Sequence, residues 1–427
     1  MFKTKPSFTH IQLFDKNFYK GNHLVDPILI SVTGVDRPGI TAAIMQALDK
    51  FNANVLDIGQ AVIHDTLSLG MLVEVSSQAK DSKSVKEAVK RVADSLNLTV
   101  RFTDITPRSY QSWVERQGKP RHVVTILAQK ITAHQVSRLA RIIADHGLNI
   151  DQITRLSGRV PLESIKSGSQ AGVEFSLRGP VSDVATLRYD LLELASEIDM
   201  DIAYQDNNIY RRNRRLLAFD MDSTLIKGEI IDQLAEKAGV GKQVAALTHR
   251  AMSGELDFKR SFAERLALLK GLPESALAEV AASMILMDGA ERLVGTVKKL
   301  GYKTAILSGG FAYFGKLLQE KLGIDYMYAN ELEIENGFVT GRVCGPIIDG
   351  FRKATLLEEI AAKEGISLEQ TIAVGDGAND LPMLNIAGLG IAFRAIPNVK
   401  ASAKQSLNTI GLDGILYLMG LKERETM

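Results

Sequence analysis

Short apolar runs and amphipathic stretches follow one another in a defined order in the first half of the chain. Residues 28–34 form a strand-like apolar run, and after it Ile40, Ile44 and Ala47 recur at helical spacing. The pattern predicts strands at 28–34, 54–63, 67–75 and 98–104, and helices at 38–51 and 82–96. The order is therefore strand, helix, strand, strand, helix, strand.

The same order returns from His122 onwards. It predicts strands at 123–128, 149–156, 171–177 and 199–205, and helices at 133–146 and 181–197. Adding 95 to the residue number maps Val32 onto Leu127 and Ile44 onto Leu139. Two related modules therefore stand in tandem. Each has the order of a ferredoxin-like unit of the α+β class, in which helices cover one face of a four-stranded sheet.

A different pattern follows the basic stretch 211–215, RRNRR. We interpret this stretch as a solvated boundary rather than a phosphate or nucleic-acid patch, because aromatic residues are hardly interleaved with it. Beyond it, short apolar runs alternate with helical patterns, which predicts an α/β domain with a parallel sheet. The runs are 216–219, 303–307, 371–374 and 389–393.

Composition narrows the functional classes. The chain has 427 residues, which suggests two to four domains. Its 51 basic and 50 acidic residues give a net charge of +1, so we expect no binding to nucleic acid or to a membrane surface. The leader 1–25 lacks the apolar core of a signal peptide, and no apolar run is long enough to span a bilayer. The single cysteine, Cys344, excludes an intramolecular disulfide and fits a cytoplasmic location.

Polar residues follow three of the four apolar runs. They are DMDST at 220–224, SGG at 308–310 and GDGAND at 375–380. Because the carboxyl ends of parallel strands meet at one edge of a sheet, we expect these segments to lie together. Clustered carboxylates repel one another unless a cation binds, and hard oxygen ligands suit Mg²⁺.

Other catalytic motifs fail in detail. The segment at 375–380 begins like a dinucleotide fingerprint, but Asp380 stands where the third glycine belongs, and the chain has no P-loop. Ser308 lacks both the G-x-S-x-G elbow and a histidine partner, because His249 is the last histidine. Serine hydrolysis is therefore disfavoured.

The segment GVDRPGI at 34–40, within the first repeated unit, resembles the ACT domain, a small amino-acid-sensing and dimerising module. The resemblance gives module bounds of 26–106 and 120–208, and implies an amino-acid effector at Asp36 and Gly39 and a homodimer. Asp36 is also suited to cap the following helix, so a purely structural turn is the alternative. The second module has Ile131 and His134 at the corresponding positions, which predicts a degenerate ligand turn.

The three polar segments of the C-terminal half, together with Lys353 ahead of a predicted helix, resemble the four motifs of the haloacid dehalogenase superfamily of phosphohydrolases. The resemblance covers 214–427 and implies a Rossmann-like parallel sheet. The insertion between Thr224 and Ser308, with a cap expected at about 228–287, is similar to the helical cap of the phosphoserine phosphatase family. It implies Mg²⁺-dependent hydrolysis of O-phospho-L-serine through a phosphoaspartate, the last step of serine biosynthesis.

The resemblance also implies roles for the motif residues. Asp220 would be the nucleophile and Asp222 the general acid and base, and Mg²⁺ would bind Asp220, the Asp222 carbonyl and Asp376. Two unit charges 4 Å apart repel by about 1 kcal/mol in water and about 4 kcal/mol at an effective dielectric constant of 20, so cations must offset the phosphate charge. Phosphoryl oxygens would be bound by Ser308, Gly309 and Lys353, while Asn379 and Asp380 would orient the metal site. The alternatives are a solvated helix start for Lys353, helix caps for Asn379 and Asp380, and either a cap or a phosphate contact for Thr224.

Cap residues are expected to select the substrate. Phe258, Phe262, Arg265 and Leu269 recur at helical spacing, which places Arg265 on an apolar stripe, where it suits a substrate carboxylate. Glu229 would pair with the substrate ammonium. The alternatives are a snorkelling Arg265 and an N-cap or surface role for Glu229, and Met252 and Phe258 either cover the substrate or pack in the core.

Two other functions remain open. One is a phosphatase or phosphotransferase for another small phosphomonoester, because the fold sets the chemistry and the cap sets the substrate. The other is an amino-acid-binding regulatory protein, against which the complete set of catalytic-type residues argues.

Overall fold

The computed structural model describes residues 27–75, 82–159, 170–252 and 258–426 of the chain. The predicted leader lies outside the described residues. The chain divides into two compact units, Met1–Lys119 and Pro120–Met427. Among the described residues, no helix combines the length and the apolar character that crossing a membrane requires.

The first unit contains one four-stranded antiparallel sheet with helices packed on one face. Its elements are β1 (Ile28–Val35), α1 (Ile40–Asp49), β2 (Asn54–Ile63), β3 (Thr66–Glu74), α2 (Ser82–Ser95), β4 (Thr99–Asp104) and α3 (Pro107–Gln117). The strand order is β2-β3-β1-β4. Alternate residues of β1, such as Ile30 and Val32, enter the core with Ile44 of α1 and Val89 of α2. The predicted α+β class is confirmed.

The second module repeats this topology at the start of the second unit. Its elements are β5 (Arg121–Ala128), α4 (Ala133–Asp145), β6 (Asn149–Arg155), β7 (Ala171–Arg178), α5 (Val184–Glu197) and β8 (Asp201–Asp206), with the order β6-β7-β5-β8. Helix α5 begins later than predicted because Asp183 accepts hydrogen bonds from the N–H groups of Ala185 and Thr186.

The C-terminal part is built on a seven-stranded sheet of order β12-β11-β10-β9-β13-β14-β15. Its strands are β9 (Leu216–Phe219), β10 (Lys303–Phe311), β11 (Tyr326–Glu335), β12 (Phe338–Cys344), β13 (Thr371–Gly375), β14 (Leu389–Phe393) and β15 (Gln405–Leu407). All neighbours pair in parallel except β11 and β12. The four predicted strands form its centre, and β9, buried along its whole length, lies between β10 and β13.

The helices of this part fall into a cap and a set that flanks the sheet. They are α6 (Ile230–Lys237), α7 (Gly241–Met252), α8 (Phe258–Ala267), α9 (Ser275–Ser283), α10 (Ala290–Lys299), α11 (Ala312–Leu322), α12 (Gly350–Lys363), α13 (Leu381–Ile386), α14 (Pro397–Ser402) and α15 (Ile415–Leu418). Helices α6 to α9 lie in the predicted insertion. Two antiparallel chain passages connect them to the sheet, where Ile226 pairs with Leu286 and the N–H of Met287 donates to the carbonyl of Leu225 at 2.8 Å.

The second module packs against the edge of the C-terminal sheet. The N–H of Tyr204 in β8 donates to Oε1 of Gln405 in β15 at 2.9 Å. Asp201 accepts hydrogen bonds of 2.8 Å from the N–H groups of Asn408 and Thr409. Leu127 belongs to the core of the C-terminal part. The second module is therefore structurally continuous with that part.

The interpretation of 211–215 as a solvated boundary is wrong for two of its arginines. Arg211 is 1% exposed and forms an ion pair with the buried Glu174 of β7. Arg214 is 5% exposed and donates to the carbonyls of Glu369 and Thr371 at 3.2 and 3.3 Å. Both side chains are covered because the second module and the sheet meet at this segment.

Candidate active site

Two carboxylates follow the central strand β9. Asp220 is 6% exposed, and its Oδ1 accepts a hydrogen bond from the N–H of Met221 at 2.7 Å. The chain then turns tightly, with Ser223 at φ 54°, and Oδ1 of Asp222 accepts a hydrogen bond from the N–H of Ile230 at 2.9 Å. The first N–H of α6 thus holds Asp222 near the end of the strand that carries Asp220.

A buried lysine connects two of the motif carboxylates. Lys353, in the first turns of α12, is 0% exposed. Its Nζ lies 2.9 Å from Oδ1 of Asp220 and 2.7 Å from Oδ1 of Asp380. Burial acts to lower the pKa of Lys353, but the two carboxylates outweigh it and raise the pKa above its usual value. Lys353 is therefore a fixed cation in the site and not a solvated helix start.

The acidic groups at the ends of β9 and β13 could hold a divalent cation. Asp220, Asp376 and Asp380 each offer an oxygen, and these oxygens lie within 4.8 Å of one another. Asp380 and Asp376 have different hydrogen-bond donors. Asp380 accepts a hydrogen bond from the N–H of Gly377 at 2.9 Å, and Asp376 accepts one from Oγ1 of Thr224 at 3.1 Å. Thr224 is thus turned toward the acidic cluster.

The electrostatics of the cluster favour the binding of a cation. Burial, reinforced by Asp380, raises the pKa of Asp220 to about 7 although Lys353 opposes the shift. Burial and the charges of Asp220, Asp380 and Glu229 raise the pKa of Asp376 to about 8. Carboxylate oxygens this close, and with this much unrelieved repulsion, fit a Mg²⁺ ion.

The third polar segment places a hydroxyl beside Asp222. Ser308 is fully buried, and its Oγ accepts a hydrogen bond from the N–H of Gly310 at 2.9 Å. A Cβ atom at Gly310 would lie 2.4 Å from Oδ2 of Asp222, so any larger residue here would displace the Asp222 carboxylate. Strand β10 is longer than predicted, but its pairing with β11 shifts register between Leu307 and Phe311, so the segment is irregular.

In the segment after β13, the side chains of Asp380 and Asn379 contact different groups. A Cβ atom at Gly375 would lie 2.4 Å from Cγ of Asp380, so glycine allows this carboxylate to fold under the strand end. Asp380 makes the contact to Lys353, whereas the side-chain oxygen of Asn379 covers Gly377. The sequence motifs identified these segments, but the close contacts of Gly310 and Gly375 required the structure.

The cap contributes a cation, Arg265, and an anion, Glu229, whose charges act on Asp222. Arg265 of α8 lies half-buried, with Nη1 3.5 Å from Oγ1 of Thr248. Burial lowers its pKa, while the charges of Glu229, Asp232 and Asp222 oppose that shift. Glu229 stands at the N-cap position of α6 but does not cap it; instead it accepts a hydrogen bond from Oγ of Ser223 at 2.8 Å.

Met252 and Phe258 are predicted either to cover the substrate or to pack in the core. Their side chains lie outside the described residues, so neither alternative is tested. Phe262 is buried and packs against Phe311 with the ring centroids 6.0 Å apart.

Comparison with known proteins settles the family. Family models match at 26–103 and 120–205 (ACT domain) and at 217–385 (haloacid dehalogenase-like hydrolase). A phosphoserine phosphatase of Mycobacterium tuberculosis is 39% identical over 398 residues, which is 93% of this chain and 94% of that protein. The chain belongs to the phosphoserine phosphatase family. It is a hydrolase of the haloacid dehalogenase type with two ACT domains.

A second relative and two solved structures agree with this assignment. A phosphoserine phosphatase of Streptomyces coelicolor is 40% identical, with 94% of each chain covered. Among solved structures, a haloacid dehalogenase family hydrolase from Salmonella enterica serovar Typhi superimposes with a TM-score of 0.59 at 30% identity, over 70% of this chain and 98% of that one. A probable phosphoserine phosphatase from Vibrio cholerae gives a TM-score of 0.54 at 30% identity, over 70% and 86%.

The first ACT domain has a pocket of about 360 Å³ at the turn that the sequence singled out. Asp36, Pro38 and Gly39 line it together with Gln60, whose Oε1 accepts a hydrogen bond from Thr41 at 3.0 Å. The alternative in which Asp36 caps α1 is wrong. Gly39, at φ 92°, occupies the N-cap position without a side-chain cap, because the chain turns once more before the helix starts.

Proposed function

We propose that this phosphoserine phosphatase family member hydrolyses O-phospho-L-serine to serine and phosphate, as the last step of serine biosynthesis in the cytoplasm. One observation carries the proposal: Asp220, which follows β9, pairs with the buried Lys353 at 2.9 Å, and the cap residues Arg265 and Glu229 interact electrostatically with Asp222 two residues further on. The first group suits phosphoryl transfer, and the second suits an amino-acid backbone.

Asp220 is the proposed nucleophile. Its Oδ1 is held by Lys353 and by the N–H of Met221; these contacts orient the carboxylate and oppose the rise in its pKa that burial causes. A carboxylate oxygen attacks phosphorus while the bond between phosphorus and the serine oxygen breaks. The products of this step are a phosphoaspartate at Asp220 and serine, provided that a proton reaches the leaving oxygen.

Asp222 is the proposed proton donor. Burial, together with the charges of Glu229 and Asp220, raises its pKa well above the usual value, which favours the protonated form that a general acid needs. After donating to the serine oxygen it takes a proton from the water that attacks the phosphoaspartate. Release of phosphate then restores Asp220 as a carboxylate and Asp222 as an acid.

Magnesium is part of the proposal. Asp220, Asp376 and the carbonyl of Asp222 would hold the ion, and when bound it would offset the charge of the phosphate group and of the cluster. Ser308 and the Gly309 amide would donate hydrogen bonds to the phosphoryl oxygens. Asn379 would bind the substrate or orient Asp376 at the same end of the site.

The cap residues are proposed to recognise the serine part of the substrate. Arg265 carries a guanidinium suited to the planar carboxylate, and Glu229 carries a negative charge suited to the ammonium. The charges of Glu229 and Asp222 both act on Arg265, which supports a common site for the two ends of an amino-acid phosphate.

The experiment measures phosphate release from phospho-L-serine, phospho-L-threonine, phosphoethanolamine and p-nitrophenyl phosphate, with Mg²⁺ and with EDTA. Phospho-L-serine should have the highest kcat/KM, EDTA should abolish turnover, and Mg²⁺ should restore it. Asp220→Asn should abolish turnover of every substrate while its unfolding transition stays cooperative, because an amide is a poor nucleophile. A different preferred substrate, or an active Asp220→Asn variant, would refute the proposal.

Regulation by an amino acid is proposed at the turn that contains Asp36 and Gly39. The adjoining pocket and the positive φ of Gly39 support it. Homodimerisation through the first ACT domain is also proposed, since Ile58 (47% exposed) and Ile63 (75% exposed) lie on β2 at the edge of its sheet. Calorimetry with L-serine and light scattering on the full chain test the two proposals, because the second ACT domain shares its packing with the C-terminal part.

A further inference from the structure

Asn330 is a buried residue that neither the sequence motifs nor the proposed mechanism includes. It lies in β11, is 3% exposed, and uses both ends of its side-chain amide. Nδ2 donates to the carbonyl of Gly309 at 2.7 Å, and Oδ1 accepts from the N–H of Ile348 at 2.8 Å. Both partners are backbone groups, and they belong to two different segments.

Each of these segments carries a group proposed to bind phosphate. Gly309 follows Ser308, and Ile348 directly precedes Asp349, the N-cap residue of α12, whose side chain accepts a hydrogen bond from Arg352 at 2.9 Å. Lys353 lies in the first turns of α12. A single amide therefore connects the backbone beside the serine to the backbone at the start of the lysine helix.

The Gly309 contact controls one particular peptide group. The carbonyl of Gly309 and the N–H of Gly310 are in the same planar peptide. That N–H donates to Oγ of Ser308 at 2.9 Å. When Asn330 holds the Gly309 carbonyl, the Gly310 N–H on the other side of the peptide group points at the Ser308 hydroxyl. Because Oγ accepts this hydrogen bond, its own proton is free to point elsewhere, toward a phosphoryl oxygen.

Main-chain hydrogen bonds between β10 and β11 do not hold the Gly309–Gly310 peptide group. Strands β10 and β11 pair regularly as far as Leu307 with Tyr328, and the pairing resumes with Phe311 opposite Asn330 after a register shift. Residues 308–310 lie within that shift. A side chain at the point where pairing resumes is well placed to hold the irregular segment.

We propose that Asn330 is a positioning residue for phosphoryl transfer, which orients the Ser308 hydroxyl and fixes the distance between that hydroxyl and Lys353. An asparagine suits the role because its amide donates to a carbonyl and accepts from an N–H at the same time. This inference rests on the proposed phosphatase activity.

Two substitutions test the contacts. Asn330→Asp keeps an acceptor for the N–H of Ile348 but places a carboxylate oxygen against the Gly309 carbonyl, and Asn330→Leu removes both contacts at similar volume. The matched control is Thr304→Val at the other end of β10. Thr304 is fully buried, and its Oγ1 donates to Oδ2 of Asp325 at 2.9 Å, which also connects β10 to the chain entering β11.

Both Asn330 variants should lose about tenfold to a hundredfold in kcat, because a small misplacement of a binding group has an effect of that size. The KM for phospho-L-serine should stay within about threefold, since cap residues dominate substrate affinity, and p-nitrophenyl phosphate should lose the same factor in kcat. Thr304→Val should keep the wild-type kcat even if its melting temperature falls as much as that of the Asn330 variants.

A coupling measurement distinguishes positioning from general destabilisation. In a Ser308→Ala background, Asn330→Asp should cost less in kcat than it does in the wild-type background, because the hydroxyl it orients is already gone and only the Gly309 amide can still be misplaced. If Asn330→Leu does not fold, Asn330→Ser replaces it in the same series. Wild-type kcat in the Asn330 variants, an equal loss in Thr304→Val, or additive losses with Ser308→Ala would each overturn the inference. An inactive wild type with phospho-L-serine would instead refute the proposed substrate, and the series would then be run with p-nitrophenyl phosphate.

Discussion

Arg265 offers the sharpest separation of substrate recognition from chemistry. The perturbation is Arg265→Met, which removes the guanidinium and keeps most of the aliphatic length. We expect kcat/KM for phospho-L-serine to fall, because the substrate carboxylate loses its partner. Turnover of phosphoethanolamine, which has no carboxylate, should hardly change.

The magnitude follows from the surroundings of Arg265. Its described hydrogen bonds are long, 3.4 Å from Nε to the carbonyl of Ser261 and 3.5 Å from Nη1 to Thr248, so its donors are weakly used within the protein. A charge-assisted hydrogen bond contributes about 1.5 to 3 kcal/mol in a site of this kind. At about 1.4 kcal/mol for each factor of ten, kcat/KM should fall by about tenfold to a hundredfold.

The assay compares steady-state kinetics on the two substrates, with the melting temperature measured for each variant. The control is Arg260→Met on the same helix, where the side chain is 68% exposed and pairs with Glu264 at 2.9 Å. The control should keep wild-type kinetics on both substrates. Equal losses on phospho-L-serine and phosphoethanolamine in Arg265→Met would refute the assignment, because Arg265 would then support the cap or the catalytic groups.

Three further predictions concern the acid, the domain contact and the effector turn. Asp222→Asn should allow a burst of p-nitrophenol from p-nitrophenyl phosphate but little turnover, as rapid-quench kinetics would reveal, since the good leaving group needs no proton and the phosphoaspartate lacks a base. Glu174→Leu should lower the free energy of unfolding by about 3 to 5 kcal/mol in urea titrations because it leaves Arg211 buried and unpaired, and the double variant with Arg211→Met should recover most of the loss; additive losses would contradict this. Asp36→Ala should abolish the heat of amino-acid binding to the full chain, and an unchanged titration would move the effector site elsewhere.

Much of the fold follows from local pattern. The central strands β9, β10, β13 and β14 are continuous apolar runs because both faces of the sheet are covered, and such runs are visible without any knowledge of the tertiary structure. The repeated module order is equally visible, since its strands and helices each present one regular apolar face. The motif carboxylates can be located in the same way, because they directly follow those runs.

Helices and strands with few buried residues are not predicted by the local apolar pattern. Helix α3 contains no buried residue, and its start is marked only by the Thr106 cap and Pro107. Strands β11 and β12 are mostly half-exposed, so they lack both the apolar run of a central strand and a clean alternation. These elements are held by pairing with distant strands, which a local pattern does not record.

What the sequence alone determined is therefore the set of chemical groups and their order along the chain. Tertiary structure decided which groups touch: Asn330 reaches Gly309 and Ile348, and the second module buries Arg211 against Glu174. In the sequence an isolated asparagine and a basic stretch look like ordinary surface residues. Their roles depend on segments far apart in the chain that come within hydrogen-bond distance only when the sheet is assembled, because burial then forces each polar group to find a partner.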